Sequence, residues 1–205
     1  IEDPATSHAT AAIALLRSVE PLETALARAG MLALWLEMER PLISVIAEME
    51  RLGITVDRAV LSALSERLTT EIAGLESQIY AEAGHSFNVN STKQLREVLF
   101  EELGITPVKK TKTGPSTDHD SLTKMAAHPI IDKILRYREV QKLRSTYVDA
   151  FPPLIAGDGR IHARFNQTAT ATGRVSSDSP NMQNIPVRSD AGREIRQAFV
   201  ASPGH

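Results

Sequence analysis

The chain has 205 residues, 42% hydrophobic and 23% charged, a composition that can bury a core and is ordinary for a water-facing protein. It has no cysteine, which excludes a disulfide framework and thiolate chemistry and fits a reducing cytoplasm. No apolar run approaches the ~18 residues that would cross a bilayer, and the first ten residues lack the basic and apolar regions of a secretory signal.

The formal net charge of -2 conceals two unlike halves. Residues 1–84 carry 6 Arg, no Lys and 13 acidic residues, whereas residues 85–205 carry 10 Arg, 7 Lys and 12 acidic residues. A polyanion suits the second half, although an unevenly charged solvated surface has the same composition.

In chain order, residues 8–29 read as helix, interrupted at Glu20-Pro21 because a proline turns the residue before it away from helical geometry. From Met31 to Leu52 the apolar residues Leu32, Leu36, Leu42, Ile46 and Met49 recur at helical intervals, and Pro41 should kink or split that helix. Gly53 ends it, and Ile54-Thr55-Val56 reads as a short extended link. Asp57 is an N-cap for a long helix reaching Ala83, with Gly84 as its stop. Along it Leu61, Leu64, Leu68, Ile72, Leu75 and Ile79 form a near-heptad stripe suited to pairing with a second helix. That partner is expected from Pro129 to about Ala150, with Ile131, Ile134, Leu135, Leu143 and Tyr147 for packing. Together they predict an antiparallel helical hairpin with a tip at residues 85–127.

Within the tip, Ser91 and Gln94 form a capping-box pattern for a helix from Thr92 to Leu103, ended by Gly104. Residues 108–115 read as a basic, flexible loop, followed by a short helix from about Asp118. After Pro152-Pro153 the character changes: Asp158-Gly159 is a turn signal between Leu154-Ile155 and an alternating strand from Ile161 to Phe165. The expected fold class is therefore mainly α with a small β part.

Three clusters offer chemistry. Asn88, Asn90, Ser91, Thr92 and Lys93 put small polar groups and free backbone amides at a helix start, which is a phosphate cradle or merely a cap. Lys109, Lys110 and Lys112 lie in the same tip. Arg138, Lys142, Ser145 and Asp149 share one helical face, either a nucleic-acid backbone contact or a solvated surface, and Arg164 and Gln167 at the strand end have the same ambiguity. The stretch from Thr168 to Phe199 fits no helix or strand template. It is crowded with donors: Arg174 follows Gly173, which leaves room for a close approach to a base edge, and Asn181, Gln183 and Asn184 supply amides that donate and accept.

The run T-A-T-G-R-V-S-S-D-S-P-N-M-Q-N-I-P-V-R from Thr170 to Arg188, followed by G-R-E-I-R-Q-A-F, resembles the signature that opens the palm of family A DNA polymerases. Upstream, F-N-V-N-S-T-K-Q-L, L-G-I-T-P-V-K-K-T-K-T-G-P-S-T and Y-R-E-V-Q-K-L-R-S-T-Y are similar to that family's thumb, in the same order. The resemblance implies three regions: the end of a 3′–5′ exonuclease-like domain at 1–40, a thumb at 41–151, and the beginning of the palm at 152–205. It implies primer–template DNA as partner, a monomer, and template-directed nucleotidyl transfer in replication or repair by the parent enzyme.

By the same resemblance, Asn88 to Lys93 and Lys109 to Lys112 would hold the duplex across its minor groove, and Arg138 and Lys142 would touch its backbone. Arg174 would test the primer-terminal pair, with Asn181 and Gln183 near template and primer; Thr172, Ser176 and Arg188 are further candidates. The family uses Mg²⁺, but its first metal aspartate follows in a D-Y-S-Q-I-E-L-R type motif that the chain does not reach by His205. Asp178 and Asp190 read as turn residues, so the chain alone is expected to be inactive, with the remaining palm and fingers supplied elsewhere. Residues 1–40 have no tyrosine and only Asp3, so the exonuclease motif Tyr-x-x-x-Asp is missing there. A non-enzymatic DNA-binding module and a coiled-coil scaffold built on the Leu61–Ile79 stripe are the alternatives.

Overall fold

The structure is a computed structural model that describes residues 4–112, 114–187 and 190–201. It divides into two compact units, one of residues 1–53 with 163–181, the other of 54–162 with 182–205.

The first unit begins with α1 (Pro4–Arg28), which runs without interruption through Pro21. The expected break is absent because this helix is exposed on nearly every face. A carbonyl that loses its helical partner on an exposed helix can be solvated instead, so a proline there can be accommodated by a bend. α2 (Leu32–Leu34) passes through a wide π-type turn, Trp35–Glu39, into α3 (Arg40–Leu52). The split expected at Pro41 takes this form. The extra residue sits just before the proline, where an ordinary turn would press its ring on a carbonyl.

The second unit starts at β1 (Ile54–Val56), a strand rather than a link. The Asp57 carboxylate accepts from Ala59 N at 2.8 Å and Val60 N at 3.3 Å, starting α4 (Arg58–Ala83), and Gly84 closes it at φ 82°. Glycine is needed there because a side chain is strained in that left-handed region. In the tip, α5 (Thr92–Arg96) continues into a π-type turn, Glu97–Glu102. Only half of the capping box forms. Ser91 Oγ accepts from Gln94 N, but Gln94 Oε1 accepts from Asn88 N at 2.6 Å, because Ser91 N already donates to Asn88 O.

The basic loop is in part a two-stranded hairpin, β2 (Lys110–Thr111) against β3 (Gly114–Pro115), with Thr113 outside the described residues. The short helix expected from about Asp118 is α6 (His119–Thr123), and Asp118 caps it through Ser121 N. α7 (Pro129–Leu143) then returns and widens into a π-type turn, Arg144–Val148.

α4 and α7 are antiparallel: Lys133 pairs with Glu82, Tyr137 with Glu76, Arg136 with Glu71 and, beyond α7, Asp149 with Ser65. The apolar stripe is buried between them, Leu61, Leu64, Leu68, Ile72 and Ile79 against Ile131, Ile134, Tyr137 and Val140. Each such side chain contributes about 1.5–3 kcal/mol on burial, so the stripe is the hairpin's own core and is not exposed for a coiled-coil partner.

A 3₁₀ turn, Pro152–Leu154, stands where the first strand of a hairpin was expected. The turn at Asp158-Gly159 does form, but the alternating stretch after it breaks into β4 (Arg160–Ile161) and β5 (Arg164–Asn166). β5 belongs to the first unit and pairs with β6 (Ser176–Asp178). α8 (Asp190–Gln197) and β7 (Phe199–Val200) complete the second unit. Asp178 is therefore a strand residue and Asp190 the first residue of a helix, and the polar stretch holds more regular structure than its pattern suggested. β1 is the central strand of the sheet β4-β1-β7, antiparallel to both neighbours, with Ile54 opposite Ile161 and Val56 opposite Phe199. Tyr147, Phe151 and Phe199 stack edge to face beside it, with centroids 5.7 Å apart in each pair.

Candidate nucleic-acid interface

In the second unit, the cradle residues form a tight turn before α5. Asn88 Oδ1 accepts from Asn90 N at 2.9 Å, and buried Val89 pins the turn to the core. Thr92 and Lys93 lie exposed at the first turn of α5, and Lys93 has no side-chain partner among the described residues. An exposed threonine and an exposed cation therefore stand together at the start of α5, where a phosphate could be met.

The three tip lysines differ. Lys109 Nζ is 3.0 Å from Asp118 Oδ2, so it supports the α6 cap, whereas Lys110 and Lys112 are exposed and unpaired among the described residues. Hydrogen bonds from Ser121, then the lysine, hold the Asp118 carboxyl well below its usual range.

The expected face on α7 is not uniform. Arg138 donates through Nη1 to Thr117 O and has Nη2 3.4 Å from Thr117 Oγ1, fixing the tip to the hairpin; its burial draws its pKa below the ordinary guanidinium value. Asp149 is held by Ser65 and Arg144, and Ser145 Oγ leans on Lys142 O at 3.4 Å. Lys142 alone of the four keeps its charged group unengaged among the described residues. It lines a cavity of about 560 Å³ with Glu139, Tyr147, Asn184 and Val187.

Sequence reasoning noticed the amide of Asn184 but did not select it. The missed signal was tertiary: Tyr147 Oη donates to Asn184 O, which brings Asn184 beside Lys142. Arg196 donates to Ile185 O at 3.0 Å, and Gly192 lets α8 approach so closely that a Cβ there would lie 2.4 Å from Pro186 O. Gln183 is exposed in this loop; Arg188 lies outside the described residues.

In the first unit, Gln167 is not a free amide. Its Nε2 donates to Glu39 O at 3.1 Å and Glu39 Oε2 at 3.0 Å, while Glu50 Oε1 accepts from Phe165 N at 2.6 Å, so β5 is stitched to the α3 segment. Arg164, Thr172, Arg174 and Asn181 are exposed. Gly173 takes φ 74°, and the Arg174 carbonyl accepts from Thr170 Oγ1 at 2.6 Å, fixing the backbone beneath a guanidinium that has no partner among the described residues.

The described residues offer no donor set for the Mg²⁺ that the resemblance implies, since no three His, Asp or Glu side chains converge. No described helix is long and apolar enough to cross a membrane.

A mainly α chain with small antiparallel sheets is the build of a known polymerase domain. The fold matches the solved structure of the "POL domain of Pol1 from M. smegmatis complex with DNA primer-template and dNTP" at TM-score 0.84 and 43% identity, over 94% of this chain and 34% of that one. The family model "DNA polymerase family A" matches residues 58–205, and the chain belongs to that family. It is 53% identical to the thermostable DNA polymerase I of Thermus aquaticus over 177 residues, 83% of this chain and 21% of that protein. It is 45% identical to DNA polymerase I of Bacillus subtilis over 98% of this chain and 23% of that protein. The chain thus spans about a fifth of the length of these relatives.

Proposed function

We propose that this chain is the duplex-gripping part of a DNA-directed DNA polymerase. In this reading residues 41–151 are its thumb, with the tip at 85–127, residues 152–205 begin the palm, and residues 1–40 are the end of an exonuclease-like domain. The observation that supports it best is the likeness to a polymerase domain whose structure includes primer–template DNA and dNTP. Lys93, Lys110, Lys112, Lys142 and Arg164 would neutralise phosphates, while Asn88, Asn90, Ser91 and Thr92 would supply neutral donors. Arg174, Asn181 and Gln183 would read base edges in the minor groove, where arginine reaches acceptors common to all pairs. Lys109, Arg138 and Gln167 would act mainly by fixing the surfaces on which these residues stand. The catalytic metals would be bound outside the described residues, so the chain alone adds no nucleotide.

Fluorescence anisotropy with a labelled primer–template tests the grip. Phosphate contacts demand that log K fall linearly with log salt, with a slope of about -0.9 per phosphate neutralised. Binding without salt dependence would overturn the reading. Nucleotide incorporation by this polypeptide with dNTPs and Mg²⁺ would overturn its inactivity.

A further inference from the structure

Tyr137 lies in the core between α4 and α7, 2% exposed, yet its hydroxyl is fully employed. It donates to Glu76 Oε1 at 3.0 Å and accepts from Asn90 Nδ2 at 2.9 Å. Glu76 belongs to α4, Tyr137 to α7, and Asn90 to the turn that leads into α5. The two stems are thus joined to the cradle by one continuous pair of hydrogen bonds. In the sequence Glu76 has no assigned role, and Tyr137 only opens the run Y-R-E-V-Q-K-L-R-S-T-Y without a role of its own.

We infer that Glu76 and Tyr137 are positioning residues for duplex binding, setting the Asn88–Lys93 turn through Asn90. This rests on the proposed DNA grip. Without Tyr137 Oη, the Asn90 amide has lost the partner that ties it to the stems, although the turn keeps its internal bonds from Asn90 N to Asn88 Oδ1 and from Ser91 N to Asn88 O. The turn would still form and Val89 would still hold it to the core, but the Asn90 amide would no longer fix its setting on the hairpin. Burial, then the hydrogen bond to Glu76, pushes the Tyr137 pKa up to about 12, so the phenol stays a donor throughout the physiological range.

Tyr137→Phe keeps the buried ring and removes only the hydroxyl. It should weaken duplex binding about fivefold, the factor expected from one ordinary hydrogen bond, and leave the salt slope unchanged because no charge is lost. Glu76→Ala should weaken binding similarly, and Glu76→Gln, which keeps an acceptor oxygen, should restore it. Ile134→Val, a core change on the same helix, should lower the melting temperature without altering affinity. In the free chain, the Asn90 side-chain amide resonances should shift in Tyr137→Phe and stay in place in Ile134→Val.

Wild-type affinity in Tyr137→Phe overturns the inference, as does failure of Glu76→Gln to recover binding or an affinity loss in Ile134→Val that matches its loss of stability. Unshifted Asn90 resonances overturn the relay whether or not DNA binds. Absence of salt-dependent binding by the unaltered chain instead overturns the underlying proposal, and the role in duplex binding falls with it.

Discussion

The α4/α7 hairpin and the polar run around Arg174 use their side chains in opposite ways. In the hairpin, polar groups with long reach are turned inward: Arg136 holds Glu71, Lys133 holds Glu82, and Arg138 holds the tip through Thr117. Around Arg174, the turn is fixed by backbone and hydroxyl groups, leaving the guanidinium exposed. A cation in a helix pattern is therefore as apt to be a strut as a contact. One that follows a left-handed glycine in an irregular run is better placed to remain available.

The largest effect should come from the hairpin's own core. Leu68 is fully buried, and Leu68→Ala should cost about 2–5 kcal/mol in urea unfolding. A near-wild-type midpoint would mean that the stripe is not the hairpin's core. Gly192→Ala should cost about 1–3 kcal/mol, because its Cβ meets the Pro186 carbonyl and must push α8 from the loop that carries Asn184. Arg174→Ala should leave stability within about 0.5 kcal/mol yet weaken primer–template binding by about 1–3 kcal/mol. If Arg174→Ala altered stability and left binding intact, the contrast between the two regions would fail.

The smallest effect concerns pH. His85 Nε2 is 2.7 Å from Glu102 Oε2, and that bond, then one to Ser86 O, raises the His85 pKa above its ordinary 6.5. The contribution is thus complete below that value and is lost as pH rises through the higher folded one. Amide exchange near residues 85 and 102 should speed up over that interval in the wild type but show no such pH step in Glu102→Gln.

Much of the second unit was legible because its signals are local. Asp57, Gly84, Ser91 and Asp118 act on the helix beside them, and the stripe on α4 announces a partner by its spacing. The sheet was not legible, since Ile54 pairs with Ile161 and nothing near Ile54 encodes that register. The alternating stretch Ile161–Phe165 was correctly extended but wrongly single, because its two ends answer to different neighbours. At the candidate interface, residue type gave the chemistry but not the availability. Lys109 and Lys112 have the same side chain three positions apart, and only tertiary contact with Asp118 separates them. Gln167 and Arg138 were chosen as contacts for the same reason and turned out to hold Glu39 and Thr117.

The position of β1 also bears on how the chain acquires its shape during synthesis. Its neighbours are supplied by residues 160–161 and 199–200, so the middle strand emerges from the ribosome long before either edge exists. The α4/α7 hairpin can close once residue 148 has emerged, through pairs such as Glu82–Lys133 and Glu71–Arg136 that lie 51 and 65 residues apart. The sheet must wait for a segment about 140 residues downstream of its central strand, and that longer closure should make it form after the hairpin.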